Sequence, residues 1–300
     1  MSRSLRVSHA LDVIRGNLGL LGDLPGNFAG HGFNLIAVPD KQNNQPFVLK
    51  LASTNEILEF TNIGGAIANR GSLQDDVFLE GISYKQRVFD CATQAGIHFE
   101  TGQWLRQPAV VAPDPPSPEV YFRQANVPHG TSFLVNSIFT TTVQGGPQIG
   151  PVDSTPFTGS SPDINTLGSD PITDSAYLAP YLNDKLPTGC LPAGLGDAAT
   201  IKNPASILQA QIAGQNIVET VVISVSNSAI VNIPFVQRNA DAAQVDAIFW
   251  IEKVDDPQAG SEPFIQLQYV QRVILEFPAV VGGPTILWPH LSCATLVKTL

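Results

Sequence analysis

The sequence predicts an all-β protein, a single enlarged antiparallel barrel, and three observations carry that reading. Charged residues make up only 14% of the 300 residues, against about 25% in an average globular chain. The 25 glycines and 24 prolines are too many breakers for long solvated helices and suit many strands joined by turns. Segments rich in β-branched and aromatic residues also recur at strand length, with turn residues between them. Hydrophobic residues reach 43%, enough to fill a core, so a disordered chain is excluded.

The elements follow in order. Residues 1–27 are a lead-in whose His9, in a short helix, has no place in a site. Residues 28–106 read as a β-meander, with strands at 47–51, 57–60, 77–89 and 97–106. Its turns are Asn43-Asn44, Gly64-Gly65 and Asn69-Arg70-Gly71. Residues 107–118 are proline-rich and extended. Strands at 120–124 and 132–143 then flank Val127-Pro128-His129-Gly130, a bend that puts His129 near a barrel rim.

Residues 144–200 are rich in Gly, Pro, Ser, Thr and Asp, and Lys185 is their one basic residue. A stretch this long is expected to be an irregular rim excursion, a lid across one barrel mouth. A helix is expected over 203–214, with Asn203 as N-cap, Pro204 at the first helical position, and Ala205, Ile207, Leu208 and Ile212 on or beside its apolar face.

Strands resume at 220–225, 229–235, 247–253, 264–277 and 291–298. Over 264–277, Ile265, Leu267, Tyr269, Val273, Leu275 and Phe277 share one face, and Gln266, Gln268, Arg272 and Glu276 the other. One side is therefore expected to be buried and the other largely wet. Strands this long predict one closed sheet running from 33–106 through 220–298, a single domain over 1–300.

Several function classes are excluded early. The net charge of −10 opposes nucleic-acid binding, which needs a basic face. No 18-residue apolar run offers a membrane span. The first sixteen residues lack a signal peptide's apolar stretch, so Cys91, Cys190 and Cys293 are expected to be reduced, small hydrophobes in a cytoplasmic protein. No nucleophile elbow, phosphate loop or dinucleotide fingerprint occurs. His9, His31, His98, His129 and His290 do not pair at zinc spacings.

Four segments together resemble the nitrobindins and their fatty-acid-binding-protein-like relatives, calycin-type haem-binding barrels. Leu24-Pro25-Gly26-Asn27-Phe28-Ala29-Gly30-His31-Gly32-Phe33 resembles that family's G-x-W-x-G-x-G opening, with Phe28 where the family has Trp. Tyr84-Lys85-Gln86-Arg87 resembles its x-Q-R-T strand. His98-Phe99-Glu100-Thr101-Gly102-Gln103-Trp104-Leu105-Arg106 resembles its H-x-E-[ST]-G-aromatic-x-R segment. Pro289-His290-Leu291-Ser292 with Leu296 and Lys298 resembles its C-terminal strand, with Cys293-Ala294 where the family has one Ala. This chain is about twice the family's usual length. The resemblance implies haem b, held by His290 as metal ligand, and peroxynitrite isomerisation or another haem-dependent reaction.

The residues add their own reading. His290 enters the last strand behind Trp288-Pro289, and Ser292 and Ala294 follow on its face, small enough to leave room for a flat cofactor. Trp288 is expected near the mouth, and His31 and Phe28 beside the cofactor. His129 is the candidate catalytic acid or base. Strand alternation puts His98, Glu100, Trp104 and Arg106 on one face, with structural roles expected for His98, Glu100 and Arg106.

Two other readings stay open. One is a carrier of an apolar small molecule, with Arg87, Arg106 or Arg272 meeting its carboxylate and Trp104 against it. The other is a cofactor-free enzyme pairing His129 with Glu252 or Asp246. The expected partner is a small apolar or oxidant ligand, with no nucleic acid, no membrane insertion and a homo-oligomer left open.

Overall fold

A computed structural model describes residues 11–40, 42–43, 45–72, 74–111, 116–160, 163–165, 168–227, 230–255, 262–277 and 285–299. His9 lies outside them. Ten long strands form one closed antiparallel barrel. They are β1 (Gly26–Asp40), β2 (Gln45–Asn62), β3 (Val77–Asp90), β4 (Gly96–Gln107), β5 (Val120–Val127), β6 (Thr131–Gln144), β7 (Ile217–Asn227), β8 (Asp241–Val254), β9 (Phe264–Phe277) and β10 (Ile286–Thr299). Each pairs with its sequence neighbours, and β10 returns to pair with β1. The barrel expected from the alternating strands is thus present, in up-and-down order around the sheet, with one long connection between β6 and β7.

The β1–β10 seam explains the glycine-rich opening. A Cβ on Gly30 would lie 2.1 Å from the Thr295 carbonyl oxygen, and one on Gly32 would lie 2.3 Å from that of Cys293. Both positions need a residue without a side chain for the strands to meet.

Alternation sends Phe28, Leu58, Phe60, Ile82, Trp104, Val135, Phe249 and Leu267 inward, where they fill one half of the barrel. Helix α1 (Leu11–Leu18) and the single 3-10 turn after it plug that end with Leu18, Leu21 and Leu24. The Leu20 amide donates to the Tyr121 hydroxyl at 3.1 Å, and Arg106 Nη1 donates to the Asn17 carbonyl at 2.8 Å.

The chain between β6 and β7 corrects the expected lid. It carries α2 (Ser175–Asn183), α3 (Asp197–Lys202) and α4 (Ala205–Gln211), and it packs against the outer wall rather than across a mouth. Ile149, Val152, Ile164, Tyr181, Ile201 and Leu208 are buried there against Phe33, Leu35, Leu49, Trp250, Val270 and Leu291. The physical reason is that these strands are apolar on both faces, so the outer face needs a cover as well.

Four smaller expectations change with it. Gln266, Gln268 and Arg272 are buried, not wet; Gln268 donates to the Leu208 carbonyl at 3.0 Å, and Arg272 pairs with Asp246 at 2.7 Å. The helix expected over 203–214 spans Ala205–Gln211, because Asn203 turns its side chain to the Val152 amide at 2.9 Å instead of capping it. The strand expected over 229–235 is only Ile230–Asn232 among the described residues, and Pro234 opens α5 (Pro234–Asn239). Cys91 and Cys190 are not reduced thiols but a disulfide, which withdraws the thiol argument for a cytoplasm, since disulfides mark oxidising compartments. Only Cys293 is free and buried, its thiol pushed up to about 12 by burial. Among the described residues no helix is long and apolar enough to cross a membrane.

The disulfide joins residues 99 apart, pinning the covering segment to the β3–β4 turn. Removing a native crosslink around a loop this long costs roughly 2–5 kcal/mol. The Cys91→Ser/Cys190→Ser variant should lose that much in urea unfolding while keeping its far-ultraviolet circular dichroism. In limited proteolysis of the unaltered protein, fragments from a cut between the two cysteines should stay joined until a reductant is added.

Candidate functional site

Ten strands enclose more space than the α1 end fills, and the other half of the barrel is a cavity of about 760 Å³. Ile36, Ala52, Val127, Phe133, Val273 and Leu275 supply apolar wall. Asn34, Glu56, Gln86, His98, His129, Gln271, His290 and Ser292 bring polar atoms into it.

Glu56, which lines the cavity, and Glu100, which contacts the lining residue His98, are buried carboxylates in contrasting surroundings. Glu56 accepts from Gln86 Nε2 at 2.7 Å and from the Tyr269 hydroxyl at 2.7 Å. Burial pushes its carboxyl up to about 7, only partly opposed by those two hydrogen bonds. Glu100 is buried as deeply, and burial alone would raise it too. The Arg123 guanidinium beside it, with His98 and the Tyr84 hydroxyl, instead holds its carboxyl down at about 2. Arg123 also donates from Nε to the Tyr84 hydroxyl at 2.9 Å and from Nη1 to Gln271 Oε1 at 2.5 Å. Its guanidinium lies 5.2 Å from the Tyr84 ring centroid and 5.4 Å from that of Phe133, so aromatic faces replace lost water.

The mouth carries three imidazoles. His98 Nε2 is 3.3 Å from Glu100 Oε2, and its ring centroid is 5.8 Å from that of His129. His129 sits in the β5–β6 turn, where Gly130 takes a positive φ of 114°; burial and the His98 charge lower its pKa. On β10, His290 faces the cavity. Asn34 Nδ2 contacts its Nε2 at 3.0 Å and donates to Ser292 Oγ at 2.8 Å. Burial, with smaller contributions from His98 and His129, pushes His290 down to about 3, so its imidazole is neutral near pH 7.

The structure brings only part of the expected set together. His129, His290 and Ser292 line the cavity. Ala294, Phe28 and Trp104 instead lie in the packed half, Phe28 edge-on to Phe60 at 5.7 Å and Trp104 edge-on to Phe249 at 4.9 Å. Trp288 belongs to the outer cluster, its indole N–H donating to the Tyr181 hydroxyl at 2.8 Å.

His31 and Arg87 sit at outward-facing positions of β1 and β3, His31 exposed and Arg87 paired with Glu59. Arg106 serves the plugged end, bonded to Glu119 at 2.6 Å. Arg272, Asp246 and Glu252 are on the outer face of β8 and β9, Arg272 paired with Asp246 and Glu252 accepting from Gln266 Nε2 at 2.6 Å. An acid or base pairing of His129 with Glu252 or Asp246 therefore has the barrel wall between its members.

Sequence reasoning missed Arg123, Glu56 and Asn34. The available signal was alternation: Arg123 shares a face with Tyr121 and Ala125, Glu56 with Leu58 and Phe60, and Asn34 with Phe28. A polar or charged residue on an inward face was the clue.

A haem site needs an available ligand nitrogen and apolar space for a flat ring. A neutral imidazole, a small Ser292 beside it and apolar walls opposite fit a flat ring. The Asn34 amide at His290 Nε2 is the one contact that ligation at that atom would have to displace.

The fold and the site together define a closed antiparallel barrel with a ligand-sized internal cavity. Structural comparison aligns it with the crystal structure of Rv2717c from M. tuberculosis at 13% identity and a TM-score of 0.41, covering 93% of this chain and 95% of that one. No family model matches the sequence, and no curated protein sequence matches it.

Glu56 gives the site a pH signature. Its folded pKa of about 7 lies above the ordinary 4.5, so its contribution is fully present below about pH 4.5 and is lost as pH rises through about 7. Glu252, also pushed up to about 7 by burial, acts with the same sign. His290, pushed down to about 3, acts with the opposite sign over part of this range, so the two glutamates should leave a net loss between urea unfolding at pH 5 and at pH 8 in the unaltered protein. Glu56→Gln should reduce that loss by up to roughly 3 kcal/mol, leaving the Glu252 and His290 parts.

Proposed function

We propose that this protein is a haem-binding barrel, with the cavity holding haem b and His290 its protein ligand. The observation that carries the reading is a neutral imidazole opening into a largely apolar cavity of about 760 Å³. Bound haem would supply the redox chemistry, with peroxynitrite or a related small oxidant as substrate, as the nitrobindin resemblance implies. The chain's own residues would do the rest. His290 holds the group, the apolar walls exclude water, and His129 holds or releases a proton at the mouth with His98 beside it.

Reconstitution with haem tests this by visible absorption. A Soret band is expected, and His290→Ala should abolish or strongly shift it with the fold intact. Asn34→Ala, which frees Nε2, should keep the band, whereas His98→Ala should lower stability and leave the spectrum largely unchanged.

A second reading is a carrier of an apolar small molecule without iron. The Asn34 amide at His290 Nε2 favours it, because that nitrogen is already engaged. A folded, colourless protein that extracts with bound lipid after haem supply would establish the carrier in place of the haem reading.

A further inference from the structure

The mechanism proposed for the cavity leaves one cluster unused, on the outer wall. His31 of β1, Cys91 at the end of β3 and Cys190 of the covering segment place their ligand atoms within 4.8 Å of one another. We propose that, once a dithiol reductant has opened the Cys91–Cys190 disulfide, these three side chains bind zinc. The covering segment would then be tied to the barrel in both redox states, by a covalent bond in one and by a metal in the other.

The geometry needs little movement. In a tetrahedral site with Zn–S near 2.3 Å and Zn–N near 2.0–2.1 Å, neighbouring ligand atoms are about 3.4–3.8 Å apart. Cys91 lies in the turn after β3 and Cys190 outside any helix or strand, so both sulfurs can separate by side-chain rotation. Their backbones are held independently of the disulfide. The Cys91 amide donates to the Ser53 carbonyl at 2.8 Å, and Ser53 Oγ donates to the Thr188 carbonyl at 3.1 Å. His31 is exposed and both cysteines are half-exposed, so reductant and metal can reach them. Three protein ligands leave the fourth position to water.

The chemistry balances simply. The dithiol gives two electrons and two protons, the S–S bond breaks into two thiols, and the reductant closes to its own cyclic disulfide. Zinc then binds both sulfurs as thiolates with release of two protons, and His31 ligates through a neutral ring nitrogen.

Cobalt(II) in place of zinc gives a direct readout. The reduced, folded protein is expected to bind one Co²⁺ per chain with thiolate-to-cobalt charge-transfer absorption, which zinc should bleach. Cys91→Ser and Cys190→Ser should each lose that absorption, His31→Ala should weaken and shift it, and the oxidised protein should not show it. Zinc should raise the melting temperature of the reduced protein alone. Buried Cys293 is counted separately with a thiol reagent, before and after denaturation. The proposal is overturned by a reduced protein with both surface thiols free and no charge-transfer band, or by a band indifferent to His31→Ala. If reduction unfolds the chain, zinc present during reduction should preserve the fold, and its failure to do so overturns the proposal equally.

Discussion

The nine residue pairs that join β1 to β10, from Asn27–Thr299 to Leu35–Leu291, close the sheet on itself, and the interior depends on that closure. A sheet of ten strands left open would have two long edges with unpaired amides and carbonyls. Closed, it has none, but it encloses a volume that its inward side chains fill only at the α1 end. The cavity is the unfilled remainder. Gly30 and Gly32 are the local requirement for that global result, since any side chain at either position would hold the two strands apart.

Inside, the same burial produces opposite protonation at two glutamates. Glu100 has Arg123 against it and is held as a carboxylate; Glu56 has only neutral donors and is raised toward neutrality. Burying Arg123 is costly unless its donors are met, and Glu100, Tyr84 and Gln271 meet them. That network fixes the strands β3, β4, β5 and β9 relative to one another beside the cavity. It also orients His98 through Glu100, which makes the structural role expected for both residues compatible with their position beside the ligand space.

The barrel was legible because its signal is local: alternation along each strand and turn residues between them. The inward direction of His290 was legible for the same reason. What covers the outer wall was not. Residues 144–200 present their apolar contacts singly, as Ile149, Val152, Ile164 and Tyr181, without a helical or strand period. The counterpart signal lay in β1, where Phe33, Leu35 and Ala37 make the outer face apolar although Phe28 already supplies an apolar inner one. Gln266, Gln268 and Arg272 misled because polarity suggests water, whereas here they are buried and bonded to their neighbours. The disulfide depended on a long-range meeting of two segments that spacing alone cannot reveal.

The seam also has a mechanical consequence. Because β1 and β10 are antiparallel, Asn27 lies opposite Thr299, so β1 begins and β10 ends at the plugged end of the barrel. Tension applied through those two strand ends would load the seam's hydrogen bonds one after another, as a zipper, instead of shearing them all at once. A fold whose equilibrium stability is spread over ten strands would thus yield to a small pulling force. The first thing such a force would disturb is the Leu18–Leu24 plug, while the cavity mouth at the far end would open last.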